Sequence, residues 1–351
     1  MVKSRSFIAT PPGATIKEQL VDRGMSQKEF AARMDMSEKH ISRLINGDVQ
    51  LTSDMAFRLE MVLGAPASFW SNLEAIYREK LARIIAENAM EADMEIAKRL
   101  PYSEMAKKGW VPATRDFKEK VINLRKYFEV VELALIADSQ ITRIACRRLA
   151  VTEKSDLALM AWAQEAKLKA RDIETKAINV KELMSNIPEI RAMTLSKPKE
   201  FVPRLQSLLS DCGIAIVFVP HLQGSFLQGA TFIDGNKIVV GMTTRGSDAE
   251  KFWFSLFHEL AHVVLGHLNR EGGTTDADED DADEFARDVL IKQEDFNRLK
   301  AYSVYTEKDI CEFAETIGIA PGIVVGRLQK EGMIQHNRMN DLKEHYTIAI
   351  A

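Results

Sequence analysis

The sequence predicts a mainly helical protein that ends in a small α+β domain, and three observations carry that expectation. Short amphipathic patterns, each with its own helix start and stop signals, fill the first eighty residues. A long stretch with helical rather than strand periodicity follows. From Gly213 the period changes to strand-like apolar runs, which lead into one apolar helix bearing Phe257-His258-Glu259-Leu260-Ala261-His262. The organisation this implies is a helix-turn-helix domain over 1–80, a helical linker or dimerisation region over 81–200, and an α+β domain over 201–351.

Composition sets the bounds. The 351 residues suffice for two or three domains at about 100–200 residues each. Hydrophobic content of 46% and charged content of 28% are those of an ordinary globular protein. No apolar run approaches the ~20 residues needed to cross a bilayer, and the first residues lack a signal-peptide core. Cys146, Cys212 and Cys311 lie far apart and read as small buried hydrophobes in a reducing cytoplasm. The net charge of −4 excludes a global basic field, so any nucleic-acid contact must be local.

In order along the chain, Thr15–Arg23 forms a helical pattern stopped by Gly24. Ser26-Gln27-Lys28-Glu29 reads as a capping box opening a helix that buries Phe30, Ala31 and Met34. Ser37 starts the next helix, with Ile41, Leu44 and Ile45 at helical spacing and Gly47 as its stop. Thr52 or Ser53 opens a further helix to Gly64, and a long helix runs from Phe69 toward Lys98. Leu100-Pro101 and Gly109 to Pro112 mark a hinge. Residues 116–209 are mostly helical, with breaks at Pro188 and Pro198. Strands are expected over Ile214–Val219, Phe226–Ile233 and Lys237–Met242, the last two joined by the tight turn Asp234-Gly235-Asn236. Ser247-Asp248-Ala249-Glu250 reads as a second capping box ahead of the apolar helix.

Two short helices joined by a turn of three to four residues describe a helix-turn-helix. The second exposes Glu38, Lys39, His40, Ser42 and Arg43, with Asn46 at its end. These types can meet base edges or phosphates in a major groove. Gln27, at the preceding helix N-terminus, is placed for a backbone phosphate. Charge alone is weak support, because residues 1–80 carry eleven Lys/Arg against ten Asp/Glu.

The text from Pro12-Gly13 through Met25-Ser26-Gln27-Lys28-Glu29-Phe30-Ala31, Ile41 to Gly47, Leu51-Thr52 and Phe69-Trp70-Ser71-Asn72-Leu73 resembles the lambda-repressor-like (XRE, Cro/cI-type) helix-turn-helix family. Within that family it resembles the HigA-type antitoxins of toxin–antitoxin modules. The resemblance implies a homodimer on a palindromic double-stranded DNA operator, repression of its own operon, and a toxin or other regulatory protein as partner.

His258 and His262, at i and i+4 on an apolar helix, present two imidazoles one turn apart to a single metal ion. Glu259 flanks that point where a water molecule would lie, which is the zinc-peptidase pattern. Catalytic zinc sites hold three protein ligands and leave a fourth position open. The run Asp276 to Ala286 supplies the candidates for the third. Glu279 and Asp283 share one helical face across the small Ala282, with Asp280 and Glu284 as further candidates. In gluzincin-type peptidases a ligating Glu is followed four residues later by an Asp that hydrogen-bonds a zinc-bound His. That resemblance implies Glu279 as ligand and Asp283 as orienting partner. His267, five residues beyond His262, does not fit the metzincin spacing and stays outside the ligand set.

Residues from about 200 to 335 resemble the ImmA/IrrE metallo-endopeptidases. The carrying text is Phe257 to His267, then Glu279, Ala282, Asp283, Phe285 and Ala286, then Phe313-Ala314 and Gly318 to Leu328. Leu290-Ile291-Lys292 departs from the Leu-Leu-Met-Pro usual there. The resemblance implies a zincin-like (gluzincin) fold, in which Glu259 takes a proton from water and returns it to the leaving amine. His221, Tyr302 and Tyr305 are available as oxyanion donors, and the Lys237–Met242 strand as a cleft edge pairing with an extended substrate. The expected function is a DNA-binding autorepressor of the antitoxin type whose zinc-dependent endopeptidase domain cleaves a regulatory protein or itself. The alternative is a repressor whose peptidase fold is a catalytically silent sensor or toxin-binding module.

Overall fold

In the computed structural model, residues 2–4, 7–137, 144–145, 153–225, 227–243, 248–269, 274–301 and 304–348 are described. The chain forms two compact units, Met1–Glu95 and Ile96–Ala351.

Caps and left-handed glycines delimit the helices of the first unit. The two-residue strands β1 (Val2–Lys3) and β2 (Ile8–Ala9) pair antiparallel ahead of α1 (Gly13–Asp22). α2 (Gln27–Arg33) opens at Ser26, whose hydroxyl accepts from the Glu29 amide at 3.2 Å. The Glu29 carboxylate does not close the expected box; it reaches Arg33 one turn on, at 2.7 Å. α3 (Glu38–Asn46) opens at Ser37 and stops at Gly47, φ +79°. α4 (Ser53–Leu63) has Thr52 as its cap, and α5 runs over Ala67–Arg99. Ile16, Phe30, Met34, Ile41, Leu59 and Trp70 are fully buried and form the shared core.

The second unit is organised by a four-stranded sheet. α6 (Tyr102–Lys107) and α7 (Phe117–Phe128) precede the short strand β3 (Ile144–Ala145), which lies in a stretch whose periodicity reads as helical. α8 (Glu153–Ala170), α9 (Val180–Ala192) and α10 (Pro198–Asp211) follow, then β4 (Ile214–Val219), β5 (Gly229–Asp234) and β6 (Lys237–Thr243). Pro188, expected to break a helix, lies inside α9, where buried Leu183, Ile187 and Ile190 hold the segment against the core. Pro198 takes the first turn of α10, where its missing N–H is no loss. The remaining helices are α11 (Ala249–Val264), α12 (Asp276–Leu290), α13 (Gln293–Lys300), α14 (Glu307–Ile317) and α15 (Pro321–Lys330).

The sheet order is β3-β5-β6-β4, with β4 parallel to β6 and the β5–β6 hairpin antiparallel. β6 is therefore interior, not the free edge expected of Lys237–Met242. Its run from Ile238 to Thr243 is buried on both faces, as a strand paired on both sides should be. Ile214, Ile216, Phe218, Ile238, Val240 and Met242 point into the core shared with α10 and α11. The alternate residues meet α8, where Gly241 lets Trp162 press onto the strand; an added Cβ there would lie 2.8 Å from the indole. Among the described residues, no helix is long and apolar enough to cross a membrane.

Candidate metal centre and recognition helix

The surface of α3 is set by what lies beneath it. Ile41 and Leu44 are buried, and the backbone of Ile45 touches Gly13 of α1 so closely that a Cβ on Gly13 would sit 2.0 Å from the Ile45 carbonyl oxygen. Glu38, Lys39, Arg43 and Asn46 are exposed, as is Gln27 on α2. His40 and Ser42, expected on the exposed face, are half-buried, because at 3.6 residues per turn they flank the buried Ile41 on either side. The acidic Glu38 at its first position suits the helix dipole.

The metal group is assembled by two helices, α11 and α12. Buried Phe252, Trp253, Leu256, Phe257 and Leu260 surround α11, so His258 and His262 are turned toward α12 by packing. α12 is fastened at both ends. Thr275 and Asp278 close a reciprocal capping box at its start. At its end Arg191 donates to the carbonyls of Val289 (2.7 Å) and Leu290 (2.9 Å). Glu279 and Asp283 then face α11, whereas Asp280 and Glu284 are exposed and fall away as alternative ligands.

One atom each from His258, His262 and Glu279 lies within 4.8 Å of the others. The two Nε2 atoms are 3.2 Å apart, and Glu279 Oε2 and Oε1 lie 3.2 and 3.7 Å from them. Both Glu279 oxygens are shielded from solvent, and their near neighbours are His258 and His262. Two imidazole nitrogens and a carboxylate converging in a buried space fit a cation better than they fit one another.

Further groups hold these three side chains in place. Asp283 Oδ1 lies 2.8 Å from His258 Nδ1, and Asp283 falls four residues after Glu279. His267, set outside the ligand group, is buried with its Nδ1 3.0 Å from His262 Nδ1. Glu259 is also buried, and the Thr231 hydroxyl of β5 donates to its Oε2 at 2.6 Å. Gly229 makes room for it: a Cβ there would lie 2.7 Å from Glu259 Cγ. Neither Thr231 nor Gly229 stood out in the sequence. Of the candidate oxyanion donors, the Tyr305 hydroxyl turns to Met333 Sδ at 3.8 Å, Tyr302 lies outside the described residues, and His221 has a partner of its own.

Electrostatics follow from this geometry. Burial would lower the His258 imidazole, but hydrogen bonds with Asp283 and Glu279 outweigh it and push it up to about 10. Burial pushes the Glu259 carboxyl up to about 7, against the opposing His258 charge and the Thr231 hydrogen bond. His262 is held down by burial, opposed by the Glu279 charge. For Glu279 and Asp283 burial acts upward, but hydrogen bonding to His258 prevails and keeps both low. Beside Asp283 a cavity of about 830 Å³ opens between α11, α12 and α15, lined in part by Phe254, Arg287, Ile323 and Lys330. Lys330 Nζ stands 4.0 Å from Asp283 Oδ2 and over the Phe254 ring.

Comparison with known proteins bears on both regions. A helix-turn-helix family model matches residues 16–70, which take in α2 and α3. A peptidase family model described as an IrrE N-terminal-like domain matches residues 239–329, which take in the whole metal group. The chain is 38% identical over 63 residues to the Escherichia coli K12 HTH-type transcriptional regulator YddM, a match spanning 18% of this chain and 67% of that protein. It is 35% identical over 66 residues to the HTH-type transcriptional regulator YbaQ of the same organism, spanning 19% of this chain and 58% of that one. The chain belongs to this helix-turn-helix family of transcriptional regulators, and it carries an IrrE N-terminal-like domain behind the helix-turn-helix.

Proposed function

We propose that the chain is a DNA-binding autorepressor of the antitoxin type whose second unit is a zinc-dependent endopeptidase acting on a regulatory protein or on itself. Lys39 and Arg43 contact phosphates or base edges from α3, with Glu38, His40, Ser42 and Asn46 beside them and Gln27 contacting the backbone from α2. A homodimer in the cytoplasm reads a palindromic double-stranded operator, and a toxin or regulator is its protein partner.

His258, His262 and Glu279 hold the ion, and Asp283 orients His258. Two imidazoles and one carboxylate are the ligand set of a catalytic zinc site with a fourth position open. When bound, zinc supplies Lewis acidity toward a carbonyl oxygen and lowers the pKa of water. Glu259 is the base and then the acid: its buried carboxyl, held near neutrality and steadied by Thr231, accepts a proton from water and delivers it to the leaving amine. The placement of Glu259 is the observation that carries the proposal, because a site that only binds a cation has no use for an adjacent buried carboxyl at that poise.

The test compares wild type with Glu259→Gln, both zinc-loaded, against the proteins encoded beside it and co-expressed with it. Cleavage should fall by about a hundredfold or more, the usual scale for removing a general base. Identical band patterns with equal zinc content would leave a catalytically silent sensor or toxin-binding module in place of the peptidase. For the reader, Lys39→Ala combined with Arg43→Ala should weaken a gel shift on the chain's own promoter; an unchanged shift removes that assignment.

A further inference from the structure

The two metal-facing imidazoles are backed by different chemistry. His258 Nδ1 meets a carboxylate, Asp283, at 2.8 Å. His262 Nδ1 meets another imidazole, His267 Nδ1, at 3.0 Å. His267 Nε2 in turn lies 3.5 Å from Asp278 Oδ1, and the second oxygen of Asp278 accepts from the Thr275 amide and hydroxyl at 2.9 and 2.8 Å. His262, His267 and Asp278 are all buried. Gly266, φ +76°, turns the chain after α11 so that His267 doubles back behind His262.

We propose that His267 and Asp278 are positioning residues that set the tautomer of His262 and so aim its bare Nε2 at the ion. The inference rests on the metal reading above. Proton placement makes the argument. Thr275 spends both its donors on one oxygen of Asp278, which leaves the other oxygen as a pure acceptor facing His267. His267 therefore carries its proton on Nε2, and its Nδ1 is bare. That bare nitrogen accepts from His262 Nδ1–H, which places the lone pair of His262 on Nε2, the atom that faces Glu279 and His258. The order runs one way, from Thr275 through Asp278 and His267 to His262. Asp278 immediately precedes Glu279, so one helix start supplies the carboxylate ligand and also orients an imidazole on the other helix.

Asp278→Asn is the sharpest variant because it preserves shape and reverses the order. Its amide oxygen stays with Thr275, so its NH2 faces His267 Nε2, which must now accept. The His267 proton moves to Nδ1, the His262 proton moves to Nε2, and the ligating atom is blocked. His267→Leu removes the acceptor, whereas His267→Asn restores an oxygen near the lost Nδ1.

The experiment strips the full-length protein with a chelator and titrates it with zinc against a chromophoric competitor. The visible spectrum of the cobalt(II)-loaded form is recorded in parallel. Asp278→Asn and His267→Leu should bind zinc about 10- to 100-fold more weakly, the usual effect of losing a partner behind a metal ligand. Both should show an altered cobalt spectrum, and His267→Asn should recover most of the affinity. Wild-type affinity and spectrum in Asp278→Asn and His267→Leu overturn the relay and leave the metal site standing. Equal loss in His267→Leu and His267→Asn overturns it too, since that pattern means packing alone; this pair also decides the matter should Asp278→Asn fail to fold. Absence of stoichiometric zinc in wild type overturns both this inference and the metal reading beneath it.

Discussion

α3 and α11 are built by opposite rules. α3 is nine residues long, buries only Ile41 and Leu44, and leaves Lys39 and Arg43 in solvent. α11 is sixteen residues long, buries most of its surface, and keeps its working groups in mutual contact. A surface that meets a long polyanion gains from mobile cations that each find a phosphate. A site that grips one ion gains from side chains ordered before the ion arrives, because each loose group adds an entropic penalty to binding. The first kind of site should respond to mutation residue by residue, and the second as a unit.

The largest expected effect is on ion affinity as a function of pH. With His258 pushed up to about 10, its metal-free ring is protonated at neutral pH, and an incoming cation must displace that proton. Zinc affinity should therefore rise about tenfold per pH unit up to about 10 and level off beyond. Stability of the stripped protein moves the other way. A raised base stabilises fully below its ordinary 6.5, and that stabilisation is lost as pH rises through about 10. Glu259, raised from 4.5 to about 7, adds a loss across that lower window. Calorimetric melting of stripped and loaded protein from pH 5 to 10 reads both; parallel curves would break the contrast.

Next in size, Phe257→Ala removes a fully buried ring adjacent to His258 and should destabilise by about 3–5 kcal/mol. The loss should fall on the melting transition of residues 96–351, and zinc content should drop with it. In the other region the tightest contact is backbone on backbone. Gly13→Ala places a methyl against the Ile45 carbonyl, and neither helix can yield without moving α3. The expected cost is about 1–3 kcal/mol, accompanied by weaker operator binding, with zinc affinity unchanged. Operator binding at wild-type strength would show that α3 tolerates displacement.

How far each region can be read from sequence follows the same division. Ser37, Gly47, Ile41 and Leu44 are local signals, so α3 is legible to the residue. The His258–His262 pair is equally local, because a step of four on a helix fixes a face before any tertiary contact exists. Asp280 and Glu284 share that step, so only the gluzincin resemblance tells Glu279 and Asp283 apart from them. His267 is harder to read, because its spacing from His262 is not that of a metal ligand but of a residue folded back behind one. The signal was Gly266, which ends the helix in a left-handed turn and returns the next residue toward the last turn. The interior place of β6 was also legible, since the unbroken apolar run Ile238–Met242 suits a strand covered on both faces. Thr231 and Gly229 carry no such mark: they meet Glu259 only through the register of β5 on β6 and the seating of α11, which no short window contains.

The smallest effect is the most discriminating, because the same chemistry occurs in both regions. Ser37 caps α3 by accepting from the His40 amide, and Thr275 caps α12 by accepting from the Asp278 amide. Ser37→Ala and Thr275→Ala should each destabilise their own unit by about 1 kcal/mol, and the corresponding glycine changes by only a few tenths. At Ser37 the consequence ends there, since the hydroxyl meets a backbone amide and no working side chain. At Thr275 the same hydroxyl also donates to the Asp278 carboxylate that faces His267, so its loss frees that carboxylate to turn. Zinc affinity should fall in Thr275→Ala while operator affinity in Ser37→Ala, measured at a temperature where both units remain folded, stays near wild type. Equal and purely thermal effects of the two substitutions would mean that the start of α12 is an ordinary helix end, and that the metal group is no more interlocked than the surface of α3.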